Sequence, residues 1–539
     1  MKNKFIFFCI LFTLAFTSVN FNYNGEFSHF YSLRSSNNKI LNIPFRALEL
    51  NTTLQLGNNF EIKSLLSSEY HNTNDDYFDS NNINNEIREL YGTYFFNSGE
   101  ISFGKRLFTL GSVDENSPID HFNPYNYYYL LIGGKDKKNG INAVSFDFYI
   151  GDNYILSGAY SPEHNKNYYP QNDSEYSLSL PTNPVWYEFL ENKGSDHESF
   201  LSLQRSTTNN ELTLSYLRAF DRVFALSGFT MHEYTGFCDQ AEIDRVEVLN
   251  EQFGYPFFEV CTLGDILYPD GDEEPTNPDK WFSYRLTEAL NLGLVQLFND
   301  FTIRADLAYF HSFDRYNKKD YSYLRSSLDF EKDANVEDPD PFGDWYGVFH
   351  DGINIDGVEG EEEFIAPLEE DVKYYQFTFQ LELPLPQDWQ VNMQYFQYKL
   401  DSYKINSYTF SDVVINIPLA GPINLQEVIN EDGDFFVPGF GSSMATLTER
   451  SVLFGVEKYL LDNSLKTTLT SFFDLDKGDG KLISLEVEYE ISDNINLIFG
   501  STKIIGDKSV ESTSFIDPGY TFNIMEDFSH NRIQLNYYF

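Results

Sequence analysis

The sequence predicts an all-β fold, a transmembrane antiparallel β-barrel of about 18 strands (16–18), and three observations favour it. Segments beyond residue 20 alternate apolar and polar side chains with the period of two that strands have. Short and long connections between these segments also alternate along the chain. The chain ends in an alternating strand, NRIQLNYYF, whose last residue is aromatic.

The N-terminal sequence is typical of an export signal. Lys2 and Lys4 precede an apolar run from Phe5 to Phe16, which is the order found in secretory signal peptides. The run is shorter than the roughly 20 residues that a membrane-spanning helix needs. We therefore expect residues 1–20 to be a signal peptide, cleaved between Thr17 and Asn20, and residues 21–539 to form an outer-membrane barrel.

Composition excludes several classes of protein. The net charge of −45 argues against a nucleic-acid partner, since little of this chain could neutralise phosphates. A mean hydropathy of −0.38, with no second long apolar run, argues against a helical membrane protein. Aromatic residues make up 17% of the chain, and they suit strands and the aromatic girdles of membrane barrels.

The strand KLISLEVEYE, residues 481–490, indicates which face meets water. Glu486, Glu488 and Glu490 share one face, and burying unpaired carboxylates in a dry core is costly. The opposite face, with Leu485 and Tyr489, must then meet something apolar. Apolar outside and polar inside is the pattern of a transmembrane barrel, so Glu486 and Glu488 are expected to face the lumen.

The connections sort into two sets. The short ones are at 56–59, 97–100, 151–153, 207–210, 299–300, 386–388, 461–464 and 492–494, and the long ones are 109–140, 162–197, 224–280, 313–371, 403–447 and 505–525. Outer-membrane barrels have short periplasmic turns and long outer loops, so both chain ends are predicted on the periplasmic side. DLDKGDG at 474–480 departs from the calcium-loop spacing, which favours a tight hairpin.

The final strand is expected to close the barrel against the first. Ile533, Leu535, Tyr537 and Phe539 fall on one face of it. Tyr537 and Phe539 resemble the C-terminal signal that the barrel-assembly machinery reads in outer-membrane proteins. That machinery, outer-membrane lipid and lipopolysaccharide are the expected partners, and the bacterial outer membrane is the expected location.

Residues 88–131 carry the densest motif of the chain. It comprises Arg88, Glu89, Tyr91, Gly104, Lys105, Gly111, Asp114, Glu115, Asp120, Asn123 and Pro124. This set resembles a family of uncharacterised porin-like outer-membrane proteins, although Leu110 stands where the family has Trp and Arg106 where it has Gln. Alginate-export barrels are similar in size and loop style. The porin-like resemblance implies uptake of hydrophobic or aromatic compounds.

The same stretch offers candidates for a constriction. Lys105 and Arg106 end a strand, and Asp114, Glu115 and Asp120 follow on a loop that is expected to fold inward. Opposed basic and acidic groups across a narrow pore would select solutes by charge and dipole. The alternative is a salt-bridged anchor that holds the loop against the barrel rim.

Two cysteines, Cys238 and Cys261, lie in one loop-like stretch, and in an exported chain we expect a disulfide between them. Their surroundings offer no zinc ligand set, so no metal site is predicted. The acidic stretches 270–279, 337–344 and 359–363 either bind divalent cations such as calcium or form a solvated surface.

Barrels of 16–18 strands leave an aqueous lumen, so passive uptake or export of small solutes is the expected function. Cations, or hydrophobic and aromatic compounds, are the preferred solutes on this interpretation. Strands begin directly after the signal, which argues against a transporter with an N-terminal plug domain. The alternative is a surface scaffold or adhesin with acidic, calcium-binding loops. The chain contains no G-x-S-x-G, HExxH or P-loop motif, so neither an enzyme nor a cofactor is expected.

Overall fold

The computed structural model describes residues 19–41, 43–70, 83–129, 137–169, 197–233, 280–314, 362–367, 369–406, 414–417, 421–424, 436–510 and 520–539. Residues 1–18, both Cys238 and Cys261, and the acidic stretches 270–279 and 337–344 lie outside these ranges. The signal peptide, the disulfide and the cation-binding loops therefore stay predictions.

Eighteen strands form one antiparallel sheet. They are β1 Val19–Arg34, β2 Phe45–Leu56, β3 Phe60–Tyr70, β4 Ile83–Phe96, β5 Gly99–Arg106, β6 Ile141–Ile150, β7 Tyr154–Ser161, β8 Glu198–Ser206, β9 Asn210–Phe220, β10 Leu286–Leu297, β11 Thr302–Phe313, β12 Glu369–Leu385, β13 Trp389–Asn406, β14 Arg450–Leu460, β15 Leu465–Asp474, β16 Lys481–Ser492, β17 Ile495–Ile505 and β18 His530–Tyr538. Each strand pairs with the next one in the chain.

The sheet closes on itself. β1 pairs antiparallel with β18, with Glu26 opposite Tyr538 and Arg34 opposite His530. Phe539 extends this seam, since its N–H donates to the Gly25 carbonyl and its own carbonyl accepts from the Gly25 N–H, both at 3.0 Å. Closure leaves the sheet without an unpaired edge, as a barrel in lipid requires. The predicted 18-stranded all-β barrel is confirmed.

The eight predicted short connections are all turns between consecutive strands of the barrel, and they lie at the end where β1 begins and β18 ends. The longer connections lie at the other end. Residues 475–480 join β15 to β16, so the predicted hairpin at 474–480 is confirmed. The alternation of connection lengths in the sequence was therefore a correct guide to the topology.

The apolar faces of the strands point outward. Leu485 and Tyr489 on β16 are 44% and 42% exposed, and Ile533 and Leu535 on β18 are similar. Gln534 and Asn536, on the other face of β18, are buried. Because the outer wall is apolar and the inner wall polar, lipid is the medium that this barrel fits.

Smaller elements lie outside the main sheet. Ala225–Glu233 pairs with Lys280–Ser283 and with Glu362–Pro367, and Val414–Ile417 pairs with Gly421–Asn424. A short helix covers Thr521–Met525. Within the described residues, none of the helices has the length and apolar character to cross a membrane.

Loop residues pack against the inner wall in two apolar clusters. In the first, Phe108 and Phe122 of one connection and Phe440 of another meet Phe310 and Tyr374 of the wall. The second cluster joins Tyr128 and Tyr129 to Phe472, Phe522 and Met525. The apolar core of this protein therefore lies between the inner wall and the loops that return into the barrel.

Candidate functional site: a loop across the lumen

The connection after β5 crosses the inside of the barrel. We call its residues 107–129 the constriction loop. Its Ser112 and Val113 N–H groups donate to the carboxylate of Asp306 on β11, at 2.8–3.0 Å, and the Ser117 hydroxyl donates to the same carboxylate at 2.7 Å. β5 and β11 are separated by a third of the barrel circumference. The loop is thus attached to a wall far from its own strand.

Hydroxyl and amide side chains of the next two strands extend this attachment. Thr378 of β12 donates to the Asn116 carbonyl at 2.8 Å, and Gln380 donates to the Asp114 carboxylate at 2.6 Å. Gln394 of β13 donates to the Glu115 carbonyl at 3.3 Å. A polar inner wall therefore satisfies the loop backbone, which would otherwise lose its hydrogen bonds on burial.

Gly111 makes the tight approach possible. Its φ of +91° lies in the region that favours glycine. A Cβ at this position would also collide with the Ser117 hydroxyl and lie 2.8 Å from the Asp306 carboxylate. A side chain at residue 111 is thus incompatible with this docked loop.

Asp114 and Glu115 occupy the exposed side of the loop. Their side chains are 52% and 66% exposed, and each faces a cation, with Arg304 3.7 Å from Asp114 and Lys137 3.7 Å from Glu115. Arg304 also contacts Glu382 of the wall at 2.5 Å. Charges of both signs thus stand close together beside the loop, inside the barrel.

Lys105, Arg106 and Asp120 lie at the base of the loop. Lys105 contacts Glu86 on the neighbouring strand at 3.1 Å, and Asp120 contacts Lys138 at 2.6 Å while accepting from the Leu110 N–H. The Arg106 guanidinium donates to two wall hydroxyls, at 3.1 and 3.3 Å. The contacts of Lys105 and Arg106 are with other strand residues, whereas the Asp120–Lys138 ion pair joins the loop to the residues just before β6. The anchor interpretation stays a prediction. Pore lining by these three residues stays a prediction.

Glu486 and Glu488 share the inward face of β16. Glu486 forms an ion pair with Arg532 of β18, and Glu488 accepts from the Asn496 amide at 2.6 Å. The inward charged side chains of β14–β18 are Glu457, Asp474, Glu486, Glu488 and Glu490 against Lys466 and Arg532. Carboxylates therefore dominate this sector of the wall.

A second segment, residues 436–449, also turns inward, and sequence reasoning did not single it out. Gln376 of β12 donates to the Phe440 carbonyl and accepts from the Ser442 N–H, both at 2.8 Å. The side chain of Gln376 lies where a Cβ on Gly441 would be, and Asp221 does the same at Gly439. The glycines of VPGFGSS were the available signal, since close backbone approach demands them.

Asp221 and Arg222, just after β9, join the two inward segments. Arg222 donates to Glu198 at 2.5 and 2.9 Å, to the Phe122 carbonyl of the constriction loop at 2.7 Å, and from its backbone to the Gly439 carbonyl at 2.8 Å. Burial raises the pKa of the Asp221 carboxyl, while the adjacent Arg285 opposes that shift. This buried pair was also missed from the sequence, because it depends on contacts far apart in the chain.

No family model matches the chain, and none of the curated proteins does. Solved structures similar to it include OccK8 (OprE) of Pseudomonas aeruginosa, with a TM-score of 0.45 and 10% identity over 96% of this chain and 98% of that one. OccK5 (OpdH) of the same organism has a TM-score of 0.44 and 10% identity over the same shares. A BenF-like porin of Pseudomonas fluorescens Pf-5 has a TM-score of 0.43 and 9% identity, over 97% of this chain and 99% of that one.

Proposed function

We propose that this protein is a passive outer-membrane channel for small solutes with a preference for cations. The observation that carries the proposal is the constriction loop, which crosses the lumen and presents the Asp114 and Glu115 carboxylates to it. Fixed carboxylates in a narrow, low-dielectric passage raise the local concentration of cations. The excess of carboxylates on β14–β18 supports the same preference.

Conductance in planar bilayers tests this function. Purified barrel should give discrete open steps, and in a KCl gradient the reversal potential should have the sign of potassium permeation. Insertion must be verified independently, by the faster gel migration of the unheated folded barrel. A folded, inserted but silent barrel would favour the scaffold alternative, and an anion-type reversal potential would remove the cation preference.

A channel for hydrophobic or aromatic solutes is the second candidate. The rings of Phe108, Phe122 and Phe200 meet edge to face on the inner wall, with centroids 4.8–5.6 Å apart, which is favourable aromatic geometry. These rings are buried in the first apolar cluster, so an aromatic solute would contact them only with the loop displaced. Blockade of the open channel by micromolar benzylammonium, but not by an alkylammonium of equal charge, supports this candidate; equal blockade by both counts against it.

Tyr537 and Phe539 support a proposed assembly signal. Their rings stack at 6.2 Å on the outer face, at the seam between the first and last strands. We infer that the barrel-assembly machinery reads them, and that lipid and lipopolysaccharide surround the wall. Phe539→Ala should lower the amount of folded protein in the outer membrane without changing its synthesis; an unchanged amount would refute the signal.

A further inference from the structure

His121 is enclosed where the constriction loop meets the segment 436–449. Only 1% of the residue is exposed. Its ring lies 4.9 Å from the ring of Phe440, on the other segment, and 5.4 Å from that of Phe310 on the wall. An imidazole in this position can be accommodated as a neutral ring, because a buried charge without a counterion is costly.

His164 lies on the other side of the same junction. Its Nε2 is 3.0 Å from the Asp221 carbonyl oxygen, and its ring packs on Phe220 and, at 4.5 Å, on Tyr284. It thus contacts the Asp221–Arg222 pair that links both inward segments. The two histidines therefore lie on either side of the Asp221–Arg222 pair, where the constriction loop is docked against the segment 436–449.

The charges that act on both rings are mostly positive. Arg222 disfavours a proton on either ring, Lys138 adds to this at His121, and Lys166 adds to it at His164. The carbonyls of Pro118 and Asp221 are the opposing groups. From the other packed elements, the wall and the segment 436–449, His121 meets the phenyl rings described above.

We propose that this junction is a proton-controlled latch, in which protonation of His121 and His164 releases the constriction loop from the segment 436–449 and widens the passage. The inference rests on the proposed channel function and assigns its regulation. The geometry sets the direction: His121 as an imidazolium fits a solvated, released loop and does not fit the enclosed one.

The direction of the pH effect follows from the surroundings of the histidines in the docked and the released arrangement. Burial, and then Arg222, lower the pKa of both His121 and His164 to about 3 in the docked arrangement. A released, solvated histidine has its ordinary pKa near 6.5. As the pH falls below about 6.5, the histidines bind protons in the released arrangement and stay neutral in the docked one, so acid favours release. At a pH about two units below that value, protonation of His121 favours release by roughly 100-fold.

Asp221 acts in the opposite direction. Because its pKa is raised in the docked arrangement, acid stabilises docking through that carboxyl. A pH response of the whole protein is therefore a sum, and the histidine share must be isolated by substitution. Phenylalanine retains an aromatic ring of similar size but takes no proton, so His121→Phe combined with His164→Phe is the informative variant.

The first measurement is conductance of single channels from pH 7.5 to 4.5. We expect the wild-type conductance or open probability to rise at least several-fold as the pH falls below about 6, and the double variant to lose that rise. His29→Phe is the matched control, because His29 is an exposed histidine on β1 away from the junction, and its response should equal that of wild type. Faster migration of the unheated barrel on gels verifies folding of each variant.

The second measurement is amide hydrogen exchange of wild-type protein, which needs neither a variant nor a current. The His121 amide of the constriction loop and the Arg222 amide, which donates to the Gly439 carbonyl of the segment 436–449, should lose protection at pH 4.5, after correction for intrinsic rates, and retain it in the double variant. Acid-specific loss of protection in a barrel that never conducts would support the latch and refute the channel. A conducting barrel whose loop protection and conductance ignore pH, or a double variant that responds as wild type does, would overturn the latch.

Discussion

The carboxylate of Asp306 accepts hydrogen bonds from the backbone N–H of Ser112 at 2.8 and 3.0 Å, although 194 residues separate the two in the chain. One wall residue thereby fixes the tip of a loop that begins a third of the circumference away. This attachment holds the loop inside the barrel.

Replacing Asp306 by Asn should loosen the loop. Hydrogen bonds to a charged acceptor contribute about 1.5–3 kcal/mol each, and an amide accepts fewer of them more weakly. We expect a larger mean conductance and more current noise, measured in single-channel recordings. Asp147→Asn removes an equal charge from the inner wall of β6 without touching the loop, and equal recordings for the two variants would contradict the assigned role.

Neutralising the loop tip should reduce charge selectivity. Asp114→Asn with Glu115→Gln removes the two most exposed carboxylates of the loop, so the cation-to-anion permeability ratio should fall by roughly two-fold or more, on the scale of the local potentials that such charges generate. The reversal potential in a salt gradient measures this. Asp462→Asn, in a turn at the opposite end of the barrel, is the control. An unchanged potential in the loop variant would show that Asp114 and Glu115 do not set selectivity.

The two lumen glutamates of β16 should differ in their effect on stability. Glu486→Gln leaves the buried guanidinium of Arg532 without its ion-pair partner, and we expect the free energy of unfolding to fall by about 1–3 kcal/mol. Glu488→Gln exchanges one acceptor for another beside Asn496, so its cost should be small. Urea titration of folded barrel, read on gels, compares them; equal midpoints would refute the distinction.

The closure seam has room for no side chain at Gly25. A Cβ there would strike the ring of Phe539 and lie 2.8 Å from the Glu49 carbonyl oxygen. Gly25→Ala should therefore lower the free energy of unfolding by about 1–3 kcal/mol, which is typical of overpacking, and the urea midpoint should fall with it. At Gly455 the nearest atoms are 3.8 Å from such a Cβ, so Gly455→Ala is the matched control. If both variants have the same unfolding midpoint, the Phe539 ring does not cover Gly25 in solution.

The strands and their topology could be predicted because their signals are local. The period of two is visible within any ten residues of a strand, and the alternation of connection lengths is visible along the chain, so the strands of the wall and their order followed from the two. Glu486 and Glu488 were placed in the lumen by the same alternation. The exposed acidic tip at Asp114 and Glu115 was predicted only as part of an inward loop, with no indication of where it attaches.

The attachments themselves could not be predicted. Ser112, Arg222 and Phe440 bind residues that lie 24 or more positions away in the chain. The sequence around a polar residue on an alternating strand does not indicate which loop that residue will contact. Buried arginines such as Arg285 were not predicted for the same reason, because a charged side chain is expected to be exposed unless its ion-pair partners are known.

A designed disulfide tests most directly that the constriction loop crosses the lumen. A Cβ built on Gly293 of β10 lies 2.6 Å from the Ser112 hydroxyl oxygen, which is within bonding reach of a cysteine pair. In a background with Cys238 and Cys261 replaced by serine, the Ser112→Cys, Gly293→Cys barrel should cross-link spontaneously and quantitatively, as read from its mass under oxidising and reducing conditions. Two free thiols that both react with maleimide in the folded barrel would contradict the account.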